Sequence, residues 1–333
     1  MSDTAMKVRL GSTIGHVDVA VIAPFAALAV LMVVGYFVNE SFLSLGNLTN
    51  VLTRSAFIAI IAIGATFVIS AGGLDLSVGA MAAFVASLMI LFMNSQPPDS
   101  GVTTIVAATA LAIAIGAGCG LANGLISTLG RIEPFIATLG TMGIFRGLTT
   151  WLAQGGSITM KSSELRDLYR PVYFDTFFGV PFPIFIILAM AIVGAFIFYR
   201  TPFGRHVIAV GSNEEVARYS GIPVNRVRTL TYIIQGACVA VAVFVYVPRL
   251  GSATATTGLL WELQAITAVV IGGTALRGGV GRIWGTLCGA FILEIVGNIM
   301  VLSHFISEYL IGAVQGAIII IAMLMQRTLM RRS

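Results

Sequence analysis

Three groups of residues in this chain have types and spacings that could do chemistry. The first is Ser212, Asn213, Glu214, Glu215, Val216, Ala217, Arg218, Tyr219, Ser220 and Gly221, within the polar stretch TPFGRHVIAVGSNEEVARYSGIPVNRVR from Thr201 to Arg228. Ser212 and Glu215 have the S-x-x-E spacing of a capping box, Glu214 and Glu215 belong in a first helical turn, and Gly221 followed by Pro223 marks a stop. The spacing predicts a rigid helix of two turns, roughly 12 Å long, with Val216, Ala217 and Tyr219 on show. Such a helix suits docking into another protein; an ordinary interhelix loop is the plainer reading. The second group is Asp75 in GGLDLSVGA, which can cap the helix that follows and, compatibly with that, line a path or face a partner protein. The third is Glu294 with Asn298, four residues apart and therefore on one helix face. Counted from Arg282, Glu294 falls about 18 Å into an apolar run. An ionised carboxylate at that depth needs a wet cavity, a partner or a proton. The pair therefore either meets a hydroxyl-rich solute or makes a hydrogen bond between helices.

Other chemistry is missing its residues. A phosphate loop needs a Lys preceded by Gly, yet the only lysines are Lys7 and Lys161, preceded by Met6 and Met160. His16, His206 and His304 fall near the ends of different apolar runs, with no Cys or carboxylate constellation around them, so no catalytic site and no metal site is expected. Cys119, Cys238 and Cys288 lie inside apolar runs without ligand or disulfide spacing and read as small packing residues. No cofactor is expected in the chain itself.

The elements that must position these groups are transmembrane helices. Charged residues make up 10% of the 333, against a usual ~25%, and the mean hydropathy is +0.97. The composition predicts an all-α polytopic membrane protein in contact with lipid. About ten spans fall near 19–38, 55–70, 76–93, 102–126, 134–152, 181–199, 229–248, 262–275, 282–302 and 309–326, several of them short or Gly-interrupted. The first run is longer than a signal-peptide core and lacks a small-residue cleavage site, so it reads as an uncleaved span.

Arg and Lys set the orientation. With both termini cytoplasmic, only Arg54, Arg146, Lys161, Arg166, Arg170 and Arg249 of the 19 basic residues lie outside or in the outer half. The expected organisation is a cytoplasmic segment 1–18, a transmembrane domain 19–326 with a cytoplasmic loop at about 201–228, and a cytoplasmic tail 327–333. The net charge of +5 is spread beside the spans rather than gathered in one patch, so no nucleic-acid partner is implied.

Glycine spacing indicates how spans pack. Gly116, Gly120 and Gly124, and again Gly281, Gly285 and Gly289, recur every four residues and give flat stripes where helix backbones can approach. Residues 62–80 and 265–283 share a weak likeness: apolar helix, Gly-rich turn, new span. Internal repeats with interrupted helices are common beside transport paths, although any two Gly-punctuated apolar stretches look somewhat alike. Arg146, in the outer half of its span, either snorkels to the interface or serves gating or docking. Arg131 and Glu133 precede Pro134, an ordinary helix start.

Four blocks in order, GGLDLSVGA (72–80), EPFIATLGTMGIFRGLT (133–149), TPFGR with VGSNEEVARYSGI (201–221), and ELQAITAVVIGGTALRGGVGRIWGTLCGA (262–290), closely resemble the permease subunits of ribose-, xylose- and arabinose-type ATP-binding-cassette importers. The likeness reaches from the second span to the ninth. It implies a bacterial inner-membrane pore for a monosaccharide or similar polyhydroxylated solute. It implies a second copy or sister permease, ATPase subunits on separate chains carrying the ATP and Mg, and a periplasmic sugar-binding protein. The loop at 201–228 would then hold the helix that touches the ATPase. Asn298 looks typical of the family, whereas Glu294 stands where a small or apolar residue is usual. An ion-coupled secondary carrier is the alternative; it leaves the docking helix and the scarcity of intramembrane charge unexplained.

Overall fold

The computed structural model describes residues 19–303 together with 310, 312–314, 316–318 and 320. The expected terminal segments and most of the expected tenth span lie outside the described residues. Helices α1 (Val19–Val38), α2 (Leu45–Arg54), α3 (Ala56–Ser70), α4 (Val78–Asn94), α5 (Gly101–Thr128) and α6 (Pro134–Leu152) fill the first half, with a short 3-10 turn at Glu40–Leu43. Strand β1 (Ser157–Thr159), helices α7 (Ser163–Tyr169) and α8 (Pro171–Phe174), and the hairpin of β2 (Thr176–Phe177) with β3 (Val180–Pro181) follow. The second half holds α9 (Phe182–Arg200), α10 (Pro202–Ser212), α11 (Glu214–Tyr219), α12 (Val224–Leu250), β4 (Ser252–Thr254), α13 (Trp261–Ile271) and α14 (Ile283–Ser303).

Local chemistry sets several ends. Pro134 occupies the first turn of α6, where its missing N–H costs nothing. Gly251 closes α12 in the left-handed region, its N–H bonded to the Val247 carbonyl. Among the described residues α5, α9, α12 and α14 are long and apolar enough to cross a membrane, and α2 with α3 adds a fifth if that pair, bent by 44°, is one span. The spans expected near 55–70, 76–93 and 262–275 are the shorter helices α3, α4 and α13. The shortfall is largest for α13, because Gly272 and Gly273 end it early.

The core is built around α3, all fifteen of whose residues are buried, against α9, α12, α13 and α14. A helix apolar on every side with no lipid face belongs inside a bundle. The first glycine stripe acts as expected, as do Gly285 and Gly289 of the second, whereas Gly281 meets the side chains of Ser70 and Phe198. A Cβ at Gly120 would overlap the Tyr232 carbonyl and one at Gly236 the Gly116 carbonyl, so α5 and α12 touch backbone to backbone. Gly285 and Gly289 sit in the same way against Gly272, which caps α13, and Ala268 within it. Cys119, Cys238 and Cys288 are free and buried. Substituting Val for Gly120 is expected to destabilise the fold by about 1–3 kcal/mol or more, the usual cost of overpacking. Gly118 on the same helix has nothing within 4 Å of its Cβ position, and Gly118→Val should leave the thermal transition in detergent unmoved. Equal transitions for both variants would contradict this packing.

The two segments that look alike in sequence share one layout, α3–turn–α4 and α13–turn–α14, and they meet. Thr66 and Thr286 exchange a 2.8 Å hydroxyl bond, and the Gly279 N–H donates to the Ser70 carbonyl at 3.0 Å.

Candidate functional site

The polar stretch folds as two helices instead of one. α10 runs through Ser212, burying Gly204, Val207 and Val210 at a spacing of three. Its end is set by the Asn213 N–H bonding to the Ala209 carbonyl. Ser212 is therefore helical and cannot take the extended geometry of an N-cap; the expected Ser212–Glu215 box does not form. Asn213 caps α11 in its place, with φ −159° and ψ 108°, and its Oδ1 accepts from the Val216 N–H at 3.0 Å. Helix α11 is six residues long, ending before Ser220 and Gly221, the latter at φ 81°. Tyr219 is 90% exposed and Val216 59%, but Ala217 turns inward at 3%, which corrects the expectation that it is displayed.

Glu214 ties this helix to the body of the protein. Its carboxylate pairs with Arg218 and with Arg228 of α12, each at 2.7 Å, and the Arg228 Nε donates to the Ala71 carbonyl at 3.4 Å. Burial pushes the Glu214 carboxyl up, but the hydrogen bonds and charges of the two arginines together outweigh it and hold it below the usual carboxylate range.

Just before α11, three glycine-bearing segments converge. A Cβ on Gly211 would overlap the Ser70 carbonyl at the end of α3. One on Gly278 would lie 2.8 Å from the Gly211 oxygen and 3.0 Å from the Gly72 nitrogen, and one on Gly279 would lie 2.6 Å from the Ser212 Oγ. Gly278 and Gly279 have φ of 88° and 80°, a region closed to most side chains. The end of α10 is thus in backbone contact with the turns that follow both α3 and α13.

The third feature is a cavity of about 520 Å³ lined by Asn47, Asn50 and Arg54 of α2, by Leu259, Leu260 and Gln264, and by Leu293, Glu294, Gly297, Asn298, Val301 and Leu302 of α14, with Gly312 beyond. Glu294 Oε1 meets Arg54 Nε at 2.9 Å, and its side chain remains 27% exposed. Asn298 and Asn47 exchange reciprocal amide bonds of 3.0 and 2.8 Å. The alternative of a bond between helices is realised for both residues, and both also line this cavity. The α2 residues were not anticipated. Asn47, Asn50 and Arg54 fall at i, i+3 and i+7, the spacing of one helix face, and that was the available signal.

Asp75 lies 6% exposed in the turn before α4 and accepts from the Ser77 N–H at 2.9 Å and the Ser77 Oγ at 2.7 Å. Asn123 of α5 reaches both its oxygens at 3.4 Å. The bonds shape the turn one step ahead of the helix start, and the cavity beside Glu294 does not include Asp75 among its lining. Arg146 does not snorkel outward. Its guanidinium donates to the carbonyls of Ala255 and, at 2.7 Å, of Thr257.

Apolar helices of spanning length, a buried bundle core and a polar cavity between helices define a polytopic helical membrane protein with a solute-sized hollow. The family described as "Branched-chain amino acid transport system / permease component" matches residues 47–323, and the chain belongs to it. The chain is 40% identical over 308 residues to the ribose import permease protein RbsC of Bacillus subtilis (strain 168), covering 92% of each chain. It is 36% identical over 300 residues to the protein of that name in Haemophilus influenzae, covering 90% of this chain and 91% of the other. It is 32% identical over 304 residues to the D-allose transport system permease protein AlsC of Escherichia coli (strain K12), covering 91% and 90%.

Proposed function

We propose that this chain is the membrane permease subunit of an ATP-binding-cassette importer, forming the translocation path for a monosaccharide or similar polyhydroxylated solute. The observation that carries the reading is the cavity beside α14. Six of its lining residues, Asn47, Asn50, Arg54, Gln264, Glu294 and Asn298, carry amide or charged groups, in a chain with 10% charged residues. Amides and a paired carboxylate offer both donors and acceptors, which suits hydroxyl groups that need both. Relatives named for ribose and allose transport agree with this chemistry.

In this reading ten spans place both termini and the α10–α11 loop in the cytoplasm of a bacterial inner membrane. α11 docks on an ATPase subunit, which supplies ATP and Mg, and a periplasmic sugar-binding protein delivers the solute. Two permease chains, identical or sister, complete the pore. Asp75 is assigned to the turn, and Glu294 and Asn298 to the path.

Purified from membranes, the tagged permease is expected to bring down an ATPase chain, and the reconstituted importer to take up D-ribose or D-allose only with ATP. A branched-chain amino acid transported in preference to both sugars would overturn the solute class. Uptake that persists without ATP under an ion gradient would overturn the importer reading in favour of an ion-coupled carrier.

A further inference from the structure

The segment between β4 and α13 presents two leucines to a cavity whose lining includes six amide or charged side chains. Leu259 is 60% exposed and Leu260 47%, and Leu263 one turn on is 44% exposed; Leu259 and Leu260 both line the cavity that holds Arg54, Glu294 and Asn298. Their exposure is enforced from either side. Before them, Arg146 grips the Ala255 and Thr257 carbonyls, Thr257 is 6% exposed, and Gly258 packs so closely on Gly79 that a Cβ on either would overlap the other's carbonyl. After them, Trp261 is stacked on Phe57 with ring centroids 5.2 Å apart and lies edge-on to Tyr246 at 5.0 Å, while Glu262 is 9% exposed.

Leu260 itself has φ 64° and ψ 8°. The left-handed region is unfavourable for a leucine, and Gly or Asn would fill it at lower cost. Strain of this kind persists where the surroundings over-determine it, and it clusters at functional positions. A leucine held in a strained backbone and 47% exposed is a poor choice for stability and a reasonable one for an apolar obstruction.

We propose that Leu259 and Leu260 form an apolar constriction that closes the solute path beside Glu294 in the resting state. An apolar narrowing excludes water and hydroxylated solute without needing a tight seal, because its walls offer neither of them a hydrogen-bond partner and the gap dewets. The segment ends in α13, whose following turn abuts Gly211 and Ser212 at the α10–α11 boundary, so movement of the docking helix has a direct backbone route to the constriction. The proposal rests on reading this cavity as the solute path.

The test uses the complete importer with its ATPase, reconstituted into vesicles loaded with radiolabelled D-ribose and held in ADP. Leu259→Ser combined with Leu260→Gly relieves the strained backbone and removes the apolar plug. Efflux without ATP is expected to rise roughly tenfold, the rate equivalent of lowering a barrier by about 1.4 kcal/mol. Leu259→Met with Leu260→Met should stay as tight as the wild type. Should the double variant assemble poorly, Leu259→Ser alone is read, since a side chain 60% exposed supports no core. Efflux at the wild-type rate from an assembled Ser or Ser/Gly variant overturns the constriction. If the wild type itself shows no ATP-driven uptake of D-ribose, D-allose or other small solutes, the path reading fails and the constriction falls with it, a result distinct from the first.

Discussion

Replacing Tyr219 with Asp is expected to abolish solute-stimulated ATP hydrolysis while the permease remains folded in the membrane. Tyr219 is 90% exposed and Val216 59%, so neither supports the fold, and a charge at either position should cost the chain nothing internally. On a partner's surface the cost is large. An aromatic anchor in a desolvated pocket commonly carries about 2 kcal/mol or more of binding, which corresponds to roughly thirtyfold in affinity. Val216→Asp should act in the same way and somewhat less strongly. Ala217→Asp is the contrasting variant: at 3% exposure it should lower the yield of folded permease, because it buries a charge without a partner. The measurements are ATPase activity in proteoliposomes with and without solute, and copurification of the ATPase chain. Intact stimulation in Tyr219→Asp would remove α11 from the coupling mechanism. The route inward is already defined by contacts: Glu214 to Arg228, Arg228 to the Ala71 carbonyl, and Gly211 to the turns after α3 and α13.

The second large effect is expected at the Arg54–Glu294 pair. Glu294→Gln removes the charge that holds Arg54 at 2.9 Å and leaves a guanidinium free in the cavity. The pair is partly exposed, 48% and 27% by side chain, and pairs of that kind contribute only about 0–1 kcal/mol to stability. Thermal stability should therefore change little. Transport should change more, because a hydrogen bond to a charged group is worth about 1.5–3 kcal/mol where it forms, and uptake rate or solute preference is expected to shift by roughly tenfold. Arg54→Gln with Glu294→Gln removes both charges and separates loss of the pair from release of the arginine. Stability that falls sharply in Glu294→Gln, with wild-type uptake by the surviving protein, would make the pair a helix clasp and no part of the path.

What could be read from the sequence is what depends on neighbouring residues. Apolar runs predict helices in lipid because backbone groups have no other partner there, and the runs near 19–38, 102–126, 134–152, 181–199, 229–248 and 282–302 are helices in the structure. Glycines four apart predict close contact because they align on one face, and Gly116, Gly120 and Gly124 make it. Helix α11 was legible through its cap and stop residues, the cap to within one position. Ser212 was mistaken for the cap because α10 was not recognised: its buried Gly204, Val207 and Val210 sit in a stretch whose polarity suggested a loop.

Only the tertiary structure supplied the partners. Glu294 is paired with Arg54, 240 positions earlier in the chain, and Asn298 with Asn47, 251 positions away. Arg146 ends on two backbone carbonyls, and every residue carries a carbonyl, so no residue type marks such a site in advance. The left-handed Leu260 is equally invisible, because a leucine adopts that geometry only when packing on both sides leaves it no alternative. Caps, stripes and apolar runs are local and leave their mark in residue order; ion pairs, carbonyl grips and strained tips are decided by which helices meet.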